Sequence, residues 1–283
     1  MEKDYNERII QAKKAIQKAD YIIIGAGSGL STASGLLYSG EKFQKNFKEY
    51  IEKYHFEDLY SASFYNFKTQ EEKWAFFAKM IKINRYNEKP LMLYQKLYDI
   101  VKNKDYFVLS TNVDGQFFNS GFDKKRIFEV QGDYEFLQCE NACHNKLYEN
   151  KKLVEKWLQN TKNCKIPSKL VMKCPVCGGN MDMNLRKDAN FVQDENWYKQ
   201  AKRYEEFLDR TKNKNVVLLE IGVGFNTPGI IRFPFERMTE QDLKTTLIRI
   251  NKDNPSTILE IKNRTISFNE NTTKIVEDLK EKI

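Results

Sequence analysis

Five apolar runs constrain this chain more than any other feature of its sequence. They are "YIIIGAG" (21–27), "YFVLSTN" (106–112), "RIFEVQG" (126–132), "NVVLLEIGVG" (215–224) and "TTLIRIN" (245–251). A strand with one wet face alternates apolar and polar residues. These runs do not alternate, which is the pattern of strands buried on both faces in a helix-covered parallel sheet. Helical patterns fill the intervals, at 2–19, about 41–54, 70–84, 88–103, 195–212 and 272–282. In the first, Ile9, Ala12, Ile16 and Ala19 share one side; the last opens on the cap signal Asn271-Thr272-Thr273. Strands alternating with helices predict an α/β fold with a doubly wound, Rossmann-like parallel sheet. "TILEIKN" and "TISFNEN" read as two further, more polar strands.

Two stretches break this rhythm, 36–95 and 133–190. They leave 1–35, 96–132 and 191–283 for the sheet domain. The first insertion is helical and rich in rings, among them Phe43, Phe47, Tyr50, Tyr54, Phe56, Trp74, Phe76 and Phe77. These rings either enclose part of a ligand site or form the core of a small domain, and for any single ring the core is the plainer reading. The second insertion holds all five cysteines.

With 41% hydrophobic and 13% aromatic residues the chain can bury a core. No apolar run approaches the ~20 residues of a membrane span, and the charged N-terminus lacks the apolar centre of a secretory signal. A soluble, cytoplasmic protein is expected. The net charge of +8 comes from lysines spread along the chain and interleaved with glutamates. With no nucleic-acid-binding motif to focus them, they read as a solvated surface. No heptad or exposed edge pattern suggests an oligomer, so a monomer is expected.

Four strand ends carry candidate binding residues. "YIIIGAGSGLSTASG" runs from a buried strand into Gly25, Gly27 and Gly29, with Ser28, Ser31 and Thr32 as hydroxyl donors. Glycines there allow a tight turn and let bare amides approach a pyrophosphate; a tight structural turn is the alternative. The spacing departs from G-x-G-x-x-G, since Leu30 takes the third glycine's place. "STNVDG" places Asn112 and Asp114 two apart, where they can face one way towards ribose hydroxyls or a developing cation, or else form an Asx-type turn. "EIGVGFNTPG" brings Gly222, Gly224, Asn226 and Thr227 to another strand end. Asn251 closes "TTLIRIN", either beside an adenosine ribose or as a plain strand exit.

Cys139-x3-Cys143 and Cys174-Pro-Val-Cys177 are two close pairs separated by a loop, the spacing of a closed, structural four-thiolate zinc site. Cys164 reads as a spare thiol, His144 as an outside candidate ligand, and His55 has no recognisable partner.

Together "GAG…STASG", "TNVDG", "EVQG", the paired cysteines, "G-x-G-x-N-T-P" and "RIN" resemble the sirtuin family, in its order, over residues 20 to 252. The departures point to one branch. Sirtuin deacylases resemble "GAGIS…SGIPDFR", whereas this chain has Leu36-Leu37-Tyr38-Ser39-Gly40-Glu41-Lys42-Phe43 and an added Ser28-Gly29. Thr111 stands in place of their glutamine, "LRKDANFVQDENW" in place of their acyl-lysine groove motif, and Gln131 in place of their catalytic histidine. "GFDKKRIFEVQGDYEFLQC" is similar to the macrodomain-linked class M sirtuins of microbes. That resemblance implies NAD as substrate, structural zinc, and transfer of ADP-ribose to a lipoylated glycine-cleavage H-like carrier, reversed by a separate macrodomain hydrolase. It implies NAD contacts from Gly25, Ala26, Gly27, Ser28, Gly29, Ser31, Thr32, Thr111, Asn112, Asp114, Gln131, Gly222, Gly224, Asn226, Thr227 and Asn251. Asn112, Asp114 and Gln131 are the expected catalytic set.

The glutamine has a chemical meaning. In a deacylase a base must deprotonate a ribose hydroxyl after nicotinamide leaves, and histidine supplies it. A glutamine amide can hold the ribose but cannot take its proton. Transfer to a carboxylate needs no base, because the acceptor is already ionised at neutral pH. Two alternatives stay open: a deacylase of low activity, and a non-catalytic NAD or ADP-ribose sensor. A plain zinc-ribbon interaction protein would leave the glycine-rich strand ends unexplained.

Overall fold

The computed structural model describes residues 4–36, 40–86 and 89–281. Leu37, Tyr38 and Ser39, the outermost residues of the first and last expected helices and the start of the 88–103 helix lie outside them. The chain divides into two compact units, residues 1–34, 90–131 and 195–283, and residues 35–89 and 132–194.

Among the described residues nine strands run in the order β1 (Tyr21–Ala26), β2 (Asp105–Ser110), β3 (Ile127–Glu129), β4 (Gly132–Cys139), β5 (Tyr148–Glu149), β6 (Met181–Leu185), β7 (Val216–Ile221), β8 (Thr245–Ile250) and β9 (Thr265–Phe268). The first unit is a six-stranded sheet of order β3-β2-β1-β7-β8-β9, parallel throughout. Residues beside β1 explain the apolar runs. Ile22 and Ile24 enter one hydrophobic cluster, with the helices Tyr5–Lys18 and Thr272–Lys280. Ile23 enters the other, with Phe207 and Phe235. All three isoleucines are fully buried, and each such side chain stabilises the fold by roughly 1.5–3 kcal/mol.

From β1 the chain winds outward through β2 to β3, then returns to the opposite side of β1 for β7, β8 and β9. The winding therefore reverses between β1 and β7, and ligands bind at such a reversal, beyond the strands' C-terminal ends.

One expected strand is absent. In "TILEIKN", Leu259–Arg264 forms a 3₁₀ helix. Only Ile261 is buried there, while Leu259 is 81% exposed, and one anchored residue per turn suits a helical period better than a sheet. The helix expected at 70–84 is α-helical over Gln70–Ile81 and continues as a π-helical turn, Lys82–Tyr86.

The second unit pairs the two insertions. Its antiparallel sheet has the order β5-β4-β6. The helix Gln70–Ile81 packs beside Lys151–Asn160, and Trp74 of one stacks on Trp157 of the other at 4.9 Å. Phe43, Phe47, Tyr50, Trp74 and Phe76 are at most 1% exposed. Their rings lie edge-on, tilted or stacked about 5–6 Å apart. The aromatic residues thus form this unit's core, the plainer of the two readings.

Candidate active site

At the winding reversal two glycine loops interlock. The amides of Gly27 and Gly29 donate to the carbonyls of Ile221 and Gly222, both at 3.0 Å. A Cβ on Gly27 would lie 2.5 Å from the Gly222 carbonyl oxygen. One on Gly222, whose φ is +63°, would lie 2.3 Å from the Leu30 nitrogen. These glycines let the ends of β1 and β7 touch, so their first service is to the turn itself. Around Gly224 there is open space, and Ser28, Thr32, Asn226 and Thr227 are exposed beside these turns. The Thr32 hydroxyl turns back to the Ser28 carbonyl at 3.1 Å.

Beyond β2 a polar chain is buried. Asn112 Nδ2 lies 3.1 Å from the Gly27 carbonyl and 3.3 Å from the Tyr94 hydroxyl. Tyr94 lies 2.9 Å from Ser31 Oγ, and Ser31 donates to Asp114 Oδ2 at 2.6 Å. The Gln116 amide donates to the other Asp114 oxygen at 3.0 Å. Each hydroxyl has one proton, so with Ser31 donating to Asp114 the direction is fixed: Asn112 to Tyr94 to Ser31 to the carboxylate. Ser31, Tyr94 and Asp114 are at most 1% exposed and Asn112 is 6% exposed. Burial, helped by the Asp114 charge, holds the Tyr94 hydroxyl well above its ordinary pKa, so it stays a neutral link. Asn112 and Asp114 do converge, through Tyr94 and Ser31. Tyr94 was not anticipated, because within the helix Met92–Val101 it reads as one more core residue. Ser31, expected to supply a hydroxyl to phosphate, donates here to the aspartate.

Gln131 follows β3, the sheet's edge strand. The Val130 amide continues the ladder to the Ser110 carbonyl at 3.0 Å. On the open side, the Glu129 amide donates to Gln200 Oε1 at 3.2 Å, and the Trp197 indole donates to the Val130 carbonyl at 3.1 Å. Both side chains come from the helix Glu195–Thr211, and the Trp197 ring meets Phe128 edge-on at 5.1 Å. They fix the backbone that presents the half-buried Gln131. Gly132 follows at φ +93°, where a Cβ would come within 1.9 Å of the Asn184 carbonyl oxygen. Only glycine fits there.

The remaining candidates hold strand exits. The Thr111 amide and hydroxyl both donate to the Ala26 carbonyl. Asn251 donates to the Val223 carbonyl at 2.8 Å and accepts from the amides of Asp253 and Asn254. Beneath it, Arg249 grips Glu220 with two bonds, at 2.8 and 3.0 Å, and Glu236 with a third. Burial, the larger effect, keeps Glu220 above its usual pKa despite the guanidinium.

In the second unit the sulfur atoms of Cys139, Cys143, Cys174 and Cys177 lie within 4.8 Å of one another. Two of the separations are 3.6 Å, close to the ~3.8 Å sulfur–sulfur edge of a tetrahedron with 2.3 Å zinc–sulfur bonds. The Cys177 and Val176 amides donate to Cys174 and bring its thiol down to about 6. Such donors favour the thiolate form, the one that binds zinc. His144 Nε2 stands 3.5 Å from the Cys174 sulfur, beside the tetrad. Cys164 is buried apart from it.

No protein-family model matches the chain. A protein ADP-ribosyltransferase of Staphylococcus aureus strain Mu50 is 34% identical over 265 residues, 93% of this chain and 84% of that protein. The chain belongs to the sirtuin-type protein ADP-ribosyltransferases. A probable bifunctional ADP-ribose hydrolase/ADP-ribosyltransferase of Fusarium oxysporum f. sp. cubense is 33% identical over 252 residues. That match takes in 84% of this chain but only 41% of the longer fungal protein. The sirtuin fold is equally clear in solved structures. A Sir2 enzyme matches at TM-score 0.56 and 17% identity over 97% of this chain and 98% of its own. A Sir2 homologue in complex with ADP-ribose matches at 0.60 and 14% over 95% and 94%. This transferase thus combines a six-stranded parallel sheet with a tetrathiolate site whose geometry fits zinc.

Proposed function

We propose that this sirtuin-type transferase moves ADP-ribose from NAD to a carboxylate of a lipoylated glycine-cleavage H-like carrier protein, and that a separate macrodomain hydrolase reverses the modification. One observation carries the chemistry: Gln131 occupies the β3 strand end, and both histidines of the chain, His55 and His144, belong to the other unit. His144 sits against the thiolate tetrad, and His55 is exposed at the end of the helix Gly40–Tyr54. The step needs neither. The bond from ribose C1′ to the nicotinamide nitrogen breaks, nicotinamide leaves as a neutral molecule, and an acceptor carboxylate oxygen bonds to C1′. No proton has to move.

In this reading the Asp114 carboxylate, oriented by Ser31 and the Gln116 amide, favours the positive charge that grows on the ribose. Asn112, held by Gly27 and Tyr94, positions a ribose hydroxyl, and Gln131 holds the ribose without deprotonating it. Ser28, Gly224, Asn226 and Thr227 are exposed where the phosphates would lie. The choice of carrier rests on the resemblance of "GFDKKRIFEVQGDYEFLQC" to the class M sirtuins, and the bifunctional name of the fungal relative supports a paired hydrolase.

The test uses labelled NAD with the carrier in lipoylated and unlipoylated form, and an acetyl-lysine peptide alongside. Label on the lipoylated carrier alone, with nicotinamide released, is the expected result. Equal labelling of both carriers would remove lipoyl recognition from the proposal. Peptide deacetylation would overturn the role of Gln131, and NAD binding without turnover would favour a sensor.

A further inference from the structure

The Lys124-Lys125-Arg126 run enters β3 and has no part in the crevice at the strands' C-terminal ends. Between this run and the helix Glu195–Thr211 lies a second cavity, of about 360 Å³. Phe107 and Phe207 form its apolar floor, with ring centroids 5.4 Å apart. Phe107 is the third residue of β2, and Lys125 and Arg126 precede β3. The cavity therefore lies towards the strands' N-terminal ends, away from the crevice.

Four cations line it, Lys125, Arg126, Arg203 and Arg210, against one carboxylate, Glu206. Arg126 is engaged by Asp105 at 2.8 Å, and Glu206 stands 3.9 Å from Lys202. Among the described residues no carboxylate pairs within 4.0 Å with Lys125, Arg203 or Arg210. Arg203 Nε is buried and has no hydrogen-bond partner. Arg203 as a whole is half-buried, with only its Nε shut off from water; a guanidinium cannot lose its proton to relieve that donor, and a donor left without an acceptor is costly. An anion in the cavity would supply the missing counter-charge. The volume falls in the range of small-molecule sites.

We propose that this cavity binds a small oxyanion of the phosphate or pyrophosphate class, with Arg203 and Arg210 as the main cations and Lys125 as the third. Paired arginines suit such oxygens, because their planar forks meet them two at a time. The apolar floor leaves room for an organic group, so the anion can be inorganic or part of a phosphate ester.

The test is calorimetric titration of the whole protein with pyrophosphate, phosphate and AMP at fixed ionic strength. One-to-one binding is expected, weakening as salt rises. Affinity should fall at least tenfold in the double variant Arg203→Met/Arg210→Met, while nicotinamide release from NAD is unchanged. If that variant does not fold, Lys125→Gln, at an exposed position, should still weaken binding severalfold. AMP binding more tightly than phosphate would assign a nucleotide source, and pyrophosphate binding most tightly an inorganic one. Absence of binding, or binding unchanged in the arginine variant and in Lys125→Gln, would overturn the site.

Discussion

The two units of this transferase are held together by different forces. The larger closes a six-stranded parallel sheet between two hydrophobic clusters, and its core strands β1 and β7 are buried almost throughout. The smaller has a three-stranded sheet whose third strand is two residues long. A sheet that slight is not stable alone. An aromatic core and a thiolate tetrad supplement it. Both units bury apolar area, but the smaller depends in addition on the bonds of its thiolate tetrad.

Metal removal should separate the two most sharply. A chelator strong enough to strip zinc, or Cys139→Ser, should lower amide protection on the order of a thousandfold across β4 to β6. β1, β7 and β8 should keep theirs. Hydrogen exchange with peptide resolution reads both, and uniform loss over the chain would break the distinction.

Asp114→Asn is the next largest and falls in the other unit. Asparagine keeps one oxygen for the Gln116 backbone amide and turns an N–H to Ser31, whose hydroxyl can rotate to donate to Tyr94 instead, so the melting temperature should change little. Removing the charge should slow nicotinamide release by about 10²–10³-fold. Unfolding of the variant would show that the carboxylate supports the fold instead.

Trp197→Phe keeps the ring that packs on Phe128 but deletes the N–H bonded to Val130. Transfer should drop about three- to tenfold in kcat with KM for NAD little changed, at a stability cost of about 1 kcal/mol. Gln200→Ala should act in the same direction through the Glu129 amide. A change confined to KM would remove the brace from the presentation of Gln131.

The last effect concerns acid. Asp182 of β6 is buried, which pushes its pKa up, but Lys73 at 3.0 Å together with Lys187 outweighs this and leaves it below the ordinary aspartate value. A depressed folded-state pKa gives stability that is fully present above the unfolded value and is lost as pH falls through the folded one. The smaller unit should therefore weaken below about pH 4. Asp182→Asn should cost about 1–3 kcal/mol near neutral pH and flatten that acid slope. An unaltered slope would mean that other carboxylates control it.

The same contrast governs what the sequence discloses. β1, β2, β7 and β8 are legible because burial on both faces leaves continuous apolar runs. The cysteine spacing is legible because metal geometry dictates it. β4 to β6 are not: "GDYEFLQC" and "MDMNL" mix buried charges with apolar residues, and their pairing depends on partners far away in sequence. Within the crevice, Asn112 and Asp114 stand out by type and place. Tyr94, Trp197 and Gln200 do not, since each lies in a helix where a ring or an amide has an ordinary explanation. The loop after Asn251 hides its organiser too, because Arg249 sits inside an apolar strand and meets Glu220 and Glu236 only when the sheet forms.

An open sheet ends in two strands with backbone groups to spare, and these invite pairing with other chains. Here both borders are occupied by side chains. Gln200 and Trp197 take the Glu129 amide and the Val130 carbonyl on one, and Arg8 donates to the Ser267 carbonyl at 2.7 Å on the other. A foreign strand finds those groups already bonded. A protein that must hold a partner only long enough to modify it is thereby guarded from adding that partner to its own sheet.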